Sequence, residues 1–323
     1  MKLRIVSGES TATMQRGNGK LMTDKRKEAP SDWIPAAIRH FVDHSPDNHL
    51  QDPDKERAFD TPLVGFAGGN DPLFDAYKDH VGPFHWTPLE VFAQTFPDCP
   101  ATADTLTVIS WILPQTRATK ADNRREKQFP AERWTRARTY GEMFNAKLRQ
   151  HVVDLLGEAG IRAVAPMLSP QWEKRESPKH GYASTWSERH AAYACGLGTF
   201  GLSDGLITPL GKAMRVGSVV ARIRIEPSLR PYDNHQAYCL FHAKGICGKC
   251  MQRCPAGAIT AAGHDKVRCK AYIRQETMPF VKNRYGFEGK GCGLCQTRVP
   301  CESRIPVPGG RYPAHVGTRP PSL

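Results

Sequence analysis

The stretch from Cys239 to Cys301 carries eight cysteines, whereas the residues before it hold only Cys99 and Cys195. Sulfur at that density constrains the fold more than any hydrophobic pattern in the chain, because the thiols must converge on something. In an oxidising compartment they would pair as disulfides; in the cytosol thiols stay reduced, and such spacings point to metal or catalysis. No apolar run approaches the ~20 residues that cross a bilayer. The early basic cluster Lys25-Arg26-Lys27 is followed by Glu28-Ala29-Pro30 rather than by an apolar segment, so neither a signal peptide nor a twin-arginine signal is read there. The expectation is a cytoplasmic protein with no membrane contact, whose cysteines hold metal.

Cys247-x2-Cys250-x3-Cys254-Pro255 has the spacing in which closely set thiolates grip one [4Fe-4S] cube while the cysteine before proline reaches a second. The later half is looser: Cys269, then Cys292-x2-Cys295, then Cys301. With Cys239 as a further ligand of the first half, eight thiolates are available for two cubes. Crossing then groups Cys239, Cys247, Cys250 and Cys301 round one cluster and Cys254, Cys269, Cys292 and Cys295 round the other. The run is irregular in three places. Lys244 stands where a cysteine would precede Cys247, five residues rather than three separate Cys295 from Cys301, and proline precedes Cys301 instead of following it. The competing reading is a four-cysteine zinc site on Cys247-x2-Cys250 and Cys292-x2-Cys295. Cys254-Pro255 and the surplus cysteines weigh against it.

Upstream, helical and extended patterns alternate. Trp33 to Val42 repeats its apolar residues at helical spacing behind Ser31 and Asp32 as caps; His40 and His44 on it lack a third ligand and read as incidental. Leu106 to Leu113 is a short apolar, β-branched run stopped by Pro114, the signature of a buried strand. Thr139-x-x-Glu142 fits a capping box opening a helix through Phe144, Leu148, Val152 and Leu156 to the stop at Gly157 and Gly160. Ile161 to Met167 is a further apolar segment. Val216 to Ile225 alternates as a half-exposed strand, and Thr185-x-x-Glu188 is a second capping box before a helix that ends at Cys195-Gly196. These patterns give an α+β body. The expected division is a flexible lead-in over 1–30, the body over 31–230, the cysteine-bearing unit over 231–305 and an irregular, proline-rich tail over 306–323.

The formal charge of +13 calls for an anionic partner: nucleic acid, a phosphate-bearing cofactor or an acidic redox protein. Residues 117 to 149 hold ten Lys or Arg against four Asp or Glu, as a binding face or as a solvated helix. Gly196-x-Gly198-x-x-Gly201 is weak evidence for a dinucleotide, since no strand precedes it; glycines of this kind serve equally where backbone presses on a flat group.

In the order Glu188-Arg189, Gly196-Leu197-Gly198, Leu206-Ile207-Thr208-Pro209, Val216-Gly217 and Cys250-Met251-Gln252-Arg253-Cys254-Pro255-Ala256-Gly257-Ala258-Ile259, the chain resembles the epoxyqueuosine reductases and the cobalamin-dependent reductive dehalogenases. The resemblance runs from about residue 100 to 305. It implies a nitroreductase-like N-terminal domain followed by a ferredoxin-like two-cluster domain, with two [4Fe-4S] clusters and cobalamin as cofactors. It implies that Gly196, Leu197, Gly198, Gly201, Leu206, Ile207 and Thr208 line the lower face of the corrin. Tyr182 falls where the epoxyqueuosine reductases carry an aspartate proton donor and the dehalogenases a tyrosine. A phenol with an ordinary pKa near 10 can protonate a substrate once reduction has placed negative charge on it. Lys174, Arg175, Lys179 and His180 precede it, either as helpers or as an exposed basic loop. Glu188 is read as a helix cap. The partners implied are an electron donor (ferredoxin, flavodoxin or a reductase) and a small-molecule substrate. Epoxyqueuosine reduction on tRNA and non-catalytic electron transfer are the alternatives. Cys195 is read as a small buried thiol.

Overall fold

A computed structural model describes residues 28–307, so the expected lead-in and tail lie almost wholly outside the described residues. Four antiparallel strands, β1 (Leu63–Gly68), β2 (Thr107–Pro114), β3 (Ala163–Val164) and β4 (Met214–Ala221), form a sheet in the order β1-β2-β4-β3. Every residue of β2 is buried, as the apolar run predicted. In β4 only Arg215 is partly exposed, so the expected half-exposed strand is instead buried on both faces and ends at Ala221.

The pleat explains the correction. Successive side chains point to opposite faces. Ile109, Trp111 and Leu113 of β2 and Val219 of β4 join one core, while Val108, Ile112, Val216 and Val220 join the other. Helices α1 (Pro30–His44) and α3 (Glu132–Glu158) cover the first face, and α2 (Arg117–Arg125) lies between them in the chain. Helix α4 (Glu188–Ala194) and the short helices Leu73–His80 and Pro88–Thr95 cover the second. The small polar residues of β4 serve this packing. Ser218 accepts from Trp186 Nε1 at 3.0 Å, and a Cβ on Gly217 would stand 2.5 Å from the Trp111 indole.

Helix α1 begins at Pro30 with Ala29 as its cap residue, so Ser31 and Asp32 lie inside it. Helix α3 starts two turns before the expected capping box. Trp134 and Ala137 extend the buried stripe upstream, and Thr139 sits mid-helix, where Oγ1 accepts from the Lys290 amide at 3.3 Å. Asn123 of α2 takes the capping role through its Oδ1, which accepts from the Ala131 amide at 3.0 Å.

Beyond Pro227, helix Leu240–Lys244, helix α5 (Lys249–Arg253) and a hairpin of Ile259–Thr260 with Gly263–His264 are short and joined by loops; helix α6 (Lys266–Tyr272) then runs unbroken through a π-helical turn, Ile273–Thr277, into helix Met278–Tyr285. Arg253 knits them to the body: its guanidinium donates to the carbonyls of Leu294, Thr297, Glu126 and Asn123 at 2.6 to 3.2 Å. Arg124 of α2 pairs with Glu302, which is 4% exposed. Among the described residues no helix is long and apolar enough to cross a membrane.

Candidate metal centres

Cys239 precedes helix Leu240–Lys244, and Gly245, at φ +68°, turns the chain back so that Cys247 and Cys250 follow on the same side. The detour thus brings Cys239 to the cavity of Cys247 and Cys250, although Lys244 stands where a cysteine is expected. These three line a cavity of about 20 Å³ with Cys301, Gly201, Ile207 and Lys212. Cys254 ends α5, Cys269 lies in α6, and after the helical stretch that ends at Tyr285 the chain brings in Cys292 from a loop and Cys295 from the 3-10 turn Leu294–Gln296. This second quartet lines a cavity of about 190 Å³ whose far wall is Gln115, Trp134, Arg138, Met214 and Arg215 of the body.

The electrostatics follow the same division. Burial pushes Cys292 up to about 12, with Cys295, Cys269 and Cys254 adding to it. Burial pushes Cys301 up to about 11, with Cys239, Cys250 and Cys247 adding and Lys212 opposing. A metal entering either site must therefore displace protons.

Spacing tests which metal suits these thiols. At ~2.3 Å per Zn–S bond, tetrahedral zinc would draw its sulfurs to about 3.8 Å of one another. Among the described residues no three cysteine sulfurs lie mutually within 4.8 Å; the single such group of ligand atoms is Asp52, Asp54 and Glu56, where Glu56 is paired with Arg133. Among the described residues the lack of such a trio weighs against tetrahedral zinc, and the cavity of about 190 Å³ bounded by Cys254, Cys269, Cys292 and Cys295 leaves between four thiols the room that a cube needs.

All seven residues expected to line a corrin, Gly196, Leu197, Gly198, Gly201, Leu206, Ile207 and Thr208, are buried. The glycines allow close packing of the chain on itself: a Cβ on Gly196 would stand 2.4 Å from the Leu229 carbonyl oxygen, and one on Gly198 2.3 Å from that of Ile207. Gly201 and Ile207 also line the cavity of the first quartet.

Glu188 is no capping-box partner of Thr185 either, because α4 begins one residue after Ser187. Its carboxylate accepts from Arg149 Nε at 2.9 Å and from Ser218 Oγ; burial pushes its pKa up against the pull of Arg149. Arg149 also reaches Glu142, which accepts from Arg215 Nε at 2.9 Å. Burial works to raise Glu142, but Arg215, Arg149 and Arg138 hold it down to about 2. A carboxylate depressed on folding adds stability above its unfolded pKa, and that stability is lost as pH falls through the folded value. From the ordinary 4.5 to about 2, the loss should be about 2 kcal/mol once partial exposure is allowed for. Urea midpoints between pH 6 and pH 2.5 check this: Glu142→Gln should start lower at pH 6 and lose distinctly less than the parent on acidification.

Tyr182 lies on a hairpin of Lys174–Ser177 with Gly181–Ser184, opposite Glu176, rather than in a loop. It is 41% exposed, the Lys270 ammonium stands 3.2 Å from its ring centroid, and Lys266 Nζ donates to its carbonyl at 3.3 Å. The hairpin thus meets α6, which carries Cys269. Lys174, Arg175, Lys179 and His180 are exposed. Within residues 117–149, Arg124, Arg125, Arg133, Arg136, Lys147 and Arg149 are engaged with carboxylates, so much of that basic run is internal pairing. Cys195 is a buried thiol that burial pushes well above the ordinary value. Sequence reasoning passed over Arg253, Glu302, Gln115, Arg138 and Lys212. Only Arg253, set between two ligand cysteines, had a position that marked it.

No protein-family model matches the chain. Over 120 residues, 35% of the chain, it is 30% identical to the epoxyqueuosine reductases of Bacillus anthracis and Bacillus cereus. That match spans 29% of the relatives' own length. Similar solved structures include epoxyqueuosine reductase from Bacillus subtilis, at 18% identity and a TM-score of 0.40 over 81% of this chain and 64% of that one. Another is a catabolic reductive dehalogenase in complex with 3-bromo-4-hydroxybenzoic acid, at 16% identity and a TM-score of 0.47 over 77% of this chain and 31% of that one. The resemblance read from the sequence is thus matched, over those 120 residues, by measurable similarity to epoxyqueuosine reductases.

Proposed function

We propose that this relative of the epoxyqueuosine reductases and reductive dehalogenases is an iron–sulfur oxidoreductase of a small organic substrate. In this reading a nitroreductase-like body over 31–230 carries a ferredoxin-type unit over 231–305. The observation that supports it most is the sorting of eight thiols into two quartets, one of which shares its cavity with the body. When bound, each cube supplies a one-electron couple.

The chain's own residues would do the rest. Arg138 and Arg215 place positive charge on the wall facing Cys254, Cys269, Cys292 and Cys295, and Gln115 Oε1 is buried there without a hydrogen-bond partner. Tyr182, under the Lys270 ammonium, would hold the proton delivered to a substrate that has taken up electrons. A corrinoid, which the resemblance to that family also implies, would be a further cofactor, and the roles given to these residues do not depend on it.

A small substrate is favoured over tRNA because the cations of residues 117–149 are largely engaged in ion pairs. The tRNA reading draws on the curated relatives. The two separate in one assay, in which anaerobically reduced protein is mixed with halogenated phenols or with epoxyqueuosine-bearing tRNA. Phenol-dependent reoxidation with loss of halide is expected, slowed ~100-fold or more by Tyr182→Phe. Conversion of the tRNA would establish the other reading. Reoxidation by acceptor proteins alone would leave an electron carrier.

A further inference from the structure

Lys212 is 3% exposed, and the hydrogen bond its ammonium makes is with a neutral group, Ser203 Oγ, at 3.0 Å. Among the described residues no carboxylate forms an ion pair with it. A buried cation without a carboxylate is costly unless some other anion stands nearby. Its neighbours identify that anion. Lys212 lines the cavity of Cys239, Cys247, Cys250 and Cys301, and its amide donates to the Cys301 carbonyl at 2.9 Å.

The backbone fixes it there. Gly211, at φ +82°, leaves no room for a side chain: a Cβ would stand 2.1 Å from the Glu302 carbonyl oxygen. The turn that carries Lys212 is therefore clamped on the segment that carries Cys301. A mobile surface lysine could not hold its charge at a set distance; this one has no other place to go.

We infer that Lys212 is a fixed countercation set against the quartet of Cys239, Cys247, Cys250 and Cys301, which raises the reduction potential of the cluster there more than that of the other. The inference rests on the two-cluster reading. Adding one electron, supplied by an external reductant such as dithionite, changes a cube with its four thiolates from a net charge of about −2 to about −3. An adjacent positive charge in a low-dielectric site favours the more negative state, most strongly for the nearer cluster.

The test is a redox titration of anaerobically purified full-length protein, with the reduced clusters followed by electron paramagnetic resonance. Lys212→Met keeps length and apolar bulk but removes the charge. Its nearer cluster should become harder to reduce by at least about tenfold in equilibrium constant, about 59 mV for a one-electron couple, and the other should move less. Lys212→Arg should stay close to the parent. Unchanged midpoints in Lys212→Met, or an equal drop in Lys212→Arg, would overturn the inference while leaving the two-cluster reading intact. So would failure of both variants to load iron, since the residue would then serve assembly. A parent protein that takes up no iron would overturn both.

Discussion

Anaerobically purified protein should carry about eight irons per chain, and the variant Cys250→Ala/Cys254→Ala should carry almost none. The pair is adjacent in sequence but lies in different quartets, Cys250 beside Cys239, Cys247 and Cys301, and Cys254 beside Cys269, Cys292 and Cys295. If ligands were shared out in sequence order, the two would serve one cube, and the variant would keep about half its iron. The reciprocal variant Cys292→Ala/Cys295→Ala removes two ligands of one quartet and should keep about four irons. Inductively coupled plasma analysis with the visible spectrum decides the matter, since cubes are brown and zinc is colourless. Uptake of zinc in place of iron would sink the redox reading altogether. A thiolate cage contributes directly to folding free energy, so the iron-free variants should also unfold at lower urea concentration.

Gly293→Ala should be among the most damaging single substitutions that leave every ligand in place. Gly293 lies between Cys292 and Cys295 at φ +67°, and a Cβ there would stand 2.0 Å from the indole of Trp134, which is 2% exposed. Two costs combine. The left-handed backbone disfavours a side chain by about 1–2 kcal/mol, and forcing a methyl into the packed ring adds about 1–3 kcal/mol. Gly286 is the control: its φ is +76°, but a Cβ there would meet nothing within 4 Å. Gly286→Ala should therefore show the conformational cost alone. Thermal midpoints of the two variants, measured with iron content, separate the costs; equal losses would show that Trp134 yields and that its packing is not what seats the loop. Where the ring does not yield, iron on the second quartet should fall with the midpoint.

Both expectations turn on how the cysteine loops are seated, and little of that seating is local. Arg253 reaches four carbonyls from two distant stretches, and Glu302 is held by Arg124 of α2. The basic excess in residues 117–149, which by charge alone suggested an anionic partner, goes largely to such internal pairing. Charge counts in sequence carry no information about which carboxylates fold back onto them.

By itself the sequence determined the types of the main elements and the concentration of thiols in its last third. A period near 3.6 residues marks α1 and α3 and an unbroken β-branched run marks β2, because those periods are properties of the backbone and need no partner. The density of sulfur limits the chemistry in the same local way. Only the tertiary structure decided the rest. β4 looks half-exposed until helices are found on both of its faces, and Thr139-x-x-Glu142 looks like a helix start until Trp134 and Asn123 move that start upstream. The glycines of residues 196–201 owe their lack of side chains to Leu229 and Ile207, whose carbonyl groups crowd the Cβ positions of Gly196 and Gly198. Lys212 has no signature at all. Its meaning comes from thiols as distant in the chain as Cys301, and contacts between remote segments are set by packing, which no local pattern encodes.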